Sequence, residues 1–220
     1  GGGGGPSGNW FSPRPDSSCA MDLSDLFPTA GNQGARSSCV AFAIGRHLRT
    51  FAARHDAQRL KLSSDRAVVY SAGYMYDVLL NDPLKTGGRR NRARCQVDLK
   101  VAPAVKYIAD SGTLPDAEYD FDPSGPDSCN PHDPAPADYM RAKSARLERN
   151  MTWLKELWSA GLTEVIETFQ EHLRNYRPLL VVVKVNWDMF KPGSRPSLKE
   201  GELPAGAFDP ESGVSHALVI

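Results

Sequence analysis

The chain has 220 residues, with 26 basic and 26 acidic side chains and 40% hydrophobic residues. That balance supports one domain or two closely packed lobes with a real core, and it excludes global disorder. There is no basic excess of the kind that marks a nucleic-acid-binding face, and the apolar runs fall short of the roughly 20 residues a membrane helix needs.

Residues 1–18 begin with five glycines and continue rich in Pro and Ser. No apolar stretch follows, so they read as a flexible linker or tail and not as a signal peptide. Localisation is therefore not legible, and the unit is expected to join a longer chain. From Ser38 to about His55 the pattern predicts a helix, buried on all sides at its start and amphipathic later. Arg46, Arg49 and Arg54 take its polar side, and Ser37 and Ser38 are good N-cap types. A second helix is predicted over Asp65 to Leu80, with Ala67, Val68, Ala72, Met75, Tyr76 and Leu79 inward. A loop with a local basic cluster (Lys85, Arg89, Arg90, Arg92, Arg94) precedes a short helix from Ala102 to Asp110 that ends at Gly112.

Residues 113–138 carry seven acids, six prolines and no Lys or Arg. Prolines block helix and ladder pairing, so the stretch reads as an exposed connection and the boundary between two lobes. The expected organisation is a helical part over 19–130 and a sheet part over 131–220. Helical spacing of Val165, Ile166, Phe169 and Leu173 predicts a helix from Thr163 to Tyr176, stopped by Pro178. The β-branched run Leu179 to Val185 reads as a buried strand, and a last strand starts near Ser215. Four apolar residues, Ala217 to Ile220, close the chain, which reads as a cut through a sheet.

The chemistry concentrates in Gly31-Asn32-Gln33-Gly34-Ala35-Arg36-Ser37-Ser38-Cys39. A cysteine in the first turn of a buried helix meets partial positive charge and unpaired N–H groups, which favour its thiolate. The same N–H groups suit a developing oxyanion, and Gln33 can add a side-chain donor. A thiolate nucleophile needs an acid for the leaving amine, usually histidine. His47 lies too far along the helix, His55 and His172 read as solvated helix positions, and His132 lies in the acidic loop. His216, opening an apolar strand after a glycine, is the remaining candidate. The four cysteines, Cys19, Cys39, Cys95 and Cys129, show no CxxC pairing, so neither a zinc site nor any other metal or cofactor is expected.

The wording GNQGARSSCVAFA resembles the active-site helix start of papain-like cysteine peptidases, whose pattern is QGxCGSCWAFA. GVSHALVI resembles the strand that bears that family's catalytic histidine, and Pro178 to Val185 resembles its PVxVxI strand. The resemblance is specific at its two ends and loose over the middle of the chain. It implies an α+β fold of two lobes, a helical lobe and an antiparallel sheet lobe, with the family's last strands lying beyond Ile220. It implies Cys39 as nucleophile, His216 as general acid and base, and Gln33 with the Cys39 amide as oxyanion hole. Val214 and Ser215 would edge the substrate pocket. Cys95-Gln96-Val97-Asp98 stands where the family carries its substrate-edge CxGG motif, which makes Val97 and Asp98 substrate-binding positions of altered character. Cys95 and Cys129 take the position of a family disulfide.

The departures are as informative. Arg36 replaces the cysteine of the motif, Ser37 its glycine, and Val40 the tryptophan after the nucleophile. The family's third catalytic group, an Asn, falls beyond the four residues that follow His216. The resemblance implies a peptidase acting on protein or peptide, of the divergent bacterial type. The Gly-rich start, read as a join to a larger delivery or regulatory protein, adds the expectation of a bacterial effector or toxin with an inhibitor or immunity protein as partner. Two alternatives stay open: a Cys-dependent acyltransferase or deconjugase on the same residues, and a catalytically degenerate binding module.

Overall fold

Cys39 to Ile44 offers no charged side chain to water, so the helix it begins has to be enclosed. In the computed structural model, residues 22–34, 36–61, 68–81, 99–119, 133–147, 161–185 and 214–219 are described. A single helical rod runs from Cys39: α1 (Cys39–Ala41), a π-helical segment (Phe42–Leu48) and α2 (Arg49–Arg59). Val40 through Gly45 are all buried. Farther along, Leu48, Phe51 and Ala52 face inward. The three arginines on the other side each dock: Arg46 pairs with Asp116, Arg49 Nε donates to the Ala145 carbonyl at 2.8 Å, and Arg54 donates to the Phe27 carbonyl at 2.6 Å.

Around the rod lie α3 (Ala72–Asn81), α4 (Val101–Ser111), α5 (Pro136–Ala142) and α6 (Leu162–Arg174), with short 3-10 turns at Ser24–Leu26 and Lys143–Ala145. The strands β1 (Leu180–Val185) and β2 (Val214–Val219) pair antiparallel, with Val183 opposite His216 and Leu180 opposite Val219. Among the described residues the protein is thus a mixed α+β chain: helices with a small two-stranded antiparallel sheet. One core cluster joins Val40, Ala41 and Ile44 of the rod with Tyr74 and Leu79 of α3, Ile108 of α4, Ala142, Leu147 and Ala217 of β2. A second, smaller one joins Leu23, Leu26 and Phe51, with Leu173 and Tyr176 packed on it.

Three expectations need correction. The second helix does not include Val68. Residues 68–71 are non-helical; Tyr70 bridges Pro115, and the Ser71 N–H donates to the Leu114 carbonyl at 2.8 Å. The helix begins after Ser71, whose hydroxyl accepts the Tyr74 N–H at 3.1 Å in the manner of an N-cap. Second, residues 113–119 are an exposed connection only in part, at Ala117 and Glu118. Thr113 and Leu114 are buried, and this is the strand-like segment that meets Tyr70 and Ser71. Farther on, Pro136 opens α5, the position where a missing N–H costs nothing. Third, His55 is not a solvated helix position. It is stacked on Phe51, with ring centroids 6.1 Å apart, and lies 5.7 Å from the Tyr176 ring.

The rod runs to Arg59, four residues past its expected end near His55, and the remaining described elements agree to within a residue or two with their sequence patterns. Gly112 ends α4 at φ 77°, where a side chain is disfavoured. Residues 113–119 and α5 are tied to the same helices: Ser71 Oγ donates to the Tyr119 carbonyl at 2.6 Å, and the Tyr119 hydroxyl donates to Asp77 Oδ2 at 2.9 Å.

Candidate active site

The loop before Cys39 is built by short-range chemistry. Asn32 Oδ1 accepts the Gly34 N–H at 2.9 Å, an Asx turn, and Gly34 supplies φ 60°. Gly31 is required by close packing: a Cβ there would stand 2.5 Å from the Phe42 ring. The Arg36 N–H donates to the Gln33 carbonyl at 3.4 Å, and the Gln33 side-chain amide donates to the Arg36 carbonyl at 3.3 Å. The loop therefore folds back on itself and delivers the chain to Ser38, the N-cap position, from which the rod starts.

Cys39 is the first residue of that rod, a half-buried free thiol packed against the main core cluster. Its backbone N–H lies in the first turn, among the N–H groups that a helix leaves without intrahelical acceptors. Ser38 fills the N-cap position expected of it, but its hydroxyl does not cap. That hydroxyl is buried with no hydrogen-bond partner among the described residues.

His216 is half-buried in the middle of β2. Its neighbour Ala217 is buried in the cluster against which Cys39 packs. Successive strand residues point to opposite faces, so His216 lies on the face opposite Ala217. β2 rests directly on α1 and on the π segment. The fold thus brings together, from opposite ends of the chain, the strand that carries His216 and the helix start that carries Cys39. Gln33 is half-buried on the loop that leads into the same helix start. The backbone of Val214 and Ser215 forms the first two positions of β2, opposite Val185 and Lys184. Val97, Asp98, Cys95 and Cys129 lie outside the described residues, so the altered substrate edge and the disulfide stay as expectations.

His47, on the same rod, is a different kind of histidine. Burial, and then the neighbouring Arg46 charge, hold its imidazole below the usual range. It favours the neutral ring. Among the described residues no group of three or more His, Cys, Asp or Glu is placed to hold a metal ion, and no helix is long and apolar enough to cross a membrane.

One residue of the site region is visible in the sequence only as a departure from a motif. Arg36 is buried, with 7% of its surface exposed, and its guanidinium carbon lies 5.9 Å from the centroid of the Tyr76 ring on α3. A lone arginine in a polar loop gives no sequence signal for this. The Asn32-x-Gly34 turn, in contrast, is a signal that sequence chemistry carries.

Comparison of the chain with protein-family models, with curated proteins and with solved structures gave no match.

Proposed function

We propose that the chain is a cysteine peptidase of papain-like, two-lobe architecture, with Cys39 as nucleophile and His216 as general acid and base. The observation that supports this best is the packing of the His216 strand on the helix start at Cys39. These two segments are the ones whose sequences resemble the family, and they lie far apart along the chain.

In this reading the Cys39 thiolate attacks a peptide carbonyl carbon and forms a tetrahedral adduct. The negative oxygen is held by the Cys39 backbone N–H and a Gln33 side-chain N–H. His216, as imidazolium, gives its proton to the departing amine as the C–N bond breaks and a thioester remains. The neutral imidazole then takes a proton from water, whose oxygen attacks the thioester. Release of the acid product returns the proton and the thiolate to the pair. The half-buried state of both side chains is what such chemistry needs: enclosed enough to strengthen the electrostatics, open enough to admit a peptide. The bacterial effector or toxin setting, and an inhibitor or immunity protein occupying the cleft, belong to the same proposal.

The test is alkylation of the intact chain with iodoacetamide, mapped by mass spectrometry, beside hydrolysis of a mixed-sequence quenched-fluorescent peptide library. Cys39 should label selectively, faster than the other cysteines of the chain. Library hydrolysis should vanish in Cys39→Ala and His216→Ala. Labelling of Cys39 no faster than that of unfolded cysteine, together with no hydrolysis, sinks the enzyme reading in favour of a binding module. Labelling with turnover only when an amine acceptor is added points to the acyltransferase.

A further inference from the structure

We infer that Arg36 is a positioning residue for the oxyanion donor Gln33, an assignment that rests on the peptidase reading above. Burying a guanidinium is costly unless its surroundings compensate, so an arginine with 7% exposure calls for a reason. Its side chain lies over Tyr76, itself buried in α3, at 5.9 Å from the ring centroid. That is within cation–π reach. The side chain therefore moors the Gln33 loop to a helix from another part of the chain.

The main chain of the same residue does the aligning. The Arg36 carbonyl accepts one N–H of the Gln33 amide at 3.3 Å, while the Arg36 N–H donates to the Gln33 carbonyl at 3.4 Å. A primary amide has two N–H groups in one plane. With one taken by the Arg36 carbonyl, the direction of the other is set before any substrate arrives. A donor fixed in advance is what makes an oxyanion site effective, because no reorganisation is left for the reaction step. The loop is fixed at its other end by the approach of Gly31 to Phe42, so the mooring at Arg36 controls the remaining freedom. In this role Arg36 acts through Gln33 and not on a reacting atom.

The experiment compares Arg36→Met, Arg36→Lys, Gln33→Ala and the Gln33→Ala/Arg36→Met double variant with the wild-type chain. The readouts are kcat and KM on a hit from the quenched-fluorescent library, and the rate of Cys39 alkylation by iodoacetamide, which passes through no oxyanion. Arg36→Met should lower kcat on the order of tenfold, part of the loss that follows removal of an oxyanion donor. KM and the alkylation rate should stay within about twofold of wild type. The double variant should be no slower than Gln33→Ala, because Arg36 acts only through Gln33. Arg36→Lys keeps a charge and most of the volume but not the planar group. It should fall in the same direction, and it carries the test if the Met variant does not fold. Wild-type kcat in the Arg36 variants overturns the inference alone, as does a double variant whose losses multiply, or alkylation that falls in step with kcat. Absence of both hydrolysis and labelling in the wild-type chain overturns the peptidase reading, and this inference with it.

Discussion

Replacing Gly112 by alanine places one methyl group where the fold has no space for it. Gly112 ends α4 at φ 77° and ψ −163°, a region essentially confined to glycine in which another residue is strained by about 1–2 kcal/mol. The added Cβ would overlap the Ala142 carbonyl oxygen and stand 2.9 Å from the Ala142 carbonyl carbon and 3.0 Å from that of Ala145. All three are backbone atoms, which cannot turn aside as a side-chain end can. Relief requires α5 and the turn after it to move away from α4, loosening Ala142, Ala145 and Leu147, which are 0%, 5% and 4% exposed. Exposing Leu147 alone costs about 2 kcal/mol, so the total comes to about 3–4 kcal/mol. With a urea dependence of about 2 kcal/mol per molar, the unfolding midpoint should fall by about 1.5–2 M. Gly161→Ala is the control. That residue has φ −68°, serves as the N-cap of α6, and has no atom within 4 Å of the place a Cβ would take. Its midpoint should shift by less than about 0.5 M, the cost of alanine at a cap. Equilibrium urea denaturation followed by far-UV circular dichroism measures both. A Gly112→Ala midpoint within about 0.3 M of wild type would refute the reasoning, since the junction of α4 and α5 would then have slack.

Two pH predictions come from the buried titratable groups. His47 is held below its usual range by burial first and by Arg46 second, so the folded state binds its proton less readily than the unfolded chain. The stability it allows is complete above about pH 6.5 and is lost progressively as pH falls below that value. Urea midpoints measured between pH 7.5 and 5 should decline, and His47→Gln should flatten that decline; an unchanged slope counts against the assignment. Tyr107 and Tyr119 are both pushed well above the ordinary phenol range, chiefly by burial. As pH rises through about 10 the unfolded chain ionises first, so stability is lost on the alkaline side. Thermal melts between pH 8 and 11 should show a smaller alkaline loss for Tyr107→Phe than for wild type, and equal losses would contradict it.

The rod and the strand pair are legible in the sequence because both depend on local pattern. Cys39 to Ile44 is too apolar for anything but a buried helix, and the β-branched residues of β1 suit a strand wherever it pairs. What escapes is pairing over distance. Nothing near Val68 or Tyr70 announces Leu114 and Pro115 as partners, so a helical pattern extends over residues that are held straight by a segment more than forty positions away. The proline count across 113–138 misleads for a related reason. Proline signals a break, but Pro115 sits at a bridge and Pro136 at a helix start, both places that need no N–H. His55 reads as solvated because Tyr176, its aromatic neighbour, belongs to another part of the chain. At the site, Cys39, Gln33 and His216 stand out by residue type and order. Arg36 does not, because its role is a matter of what lies beneath it.

The π segment between Phe42 and Leu48 carries a consequence for how this site can change. Each turn there closes on the fifth residue, not the fourth, and so takes in one residue more than its neighbours. The rod before and after it is therefore out of phase with a uniform helix by a fraction of a turn. Tightening the same seven residues to an uninterrupted α-helix would turn the two ends of the rod against each other by roughly a third of a turn, a turn that deleting one of them would largely offset. With Arg49 and Arg54 still docked on the Ala145 and Phe27 carbonyls, the end that turns is the one bearing Cys39, away from β2. The angle at which the Cys39 end of the rod meets β2 is in that sense a setting stored in seven residues, which a change of winding can reset without altering Cys39 or His216.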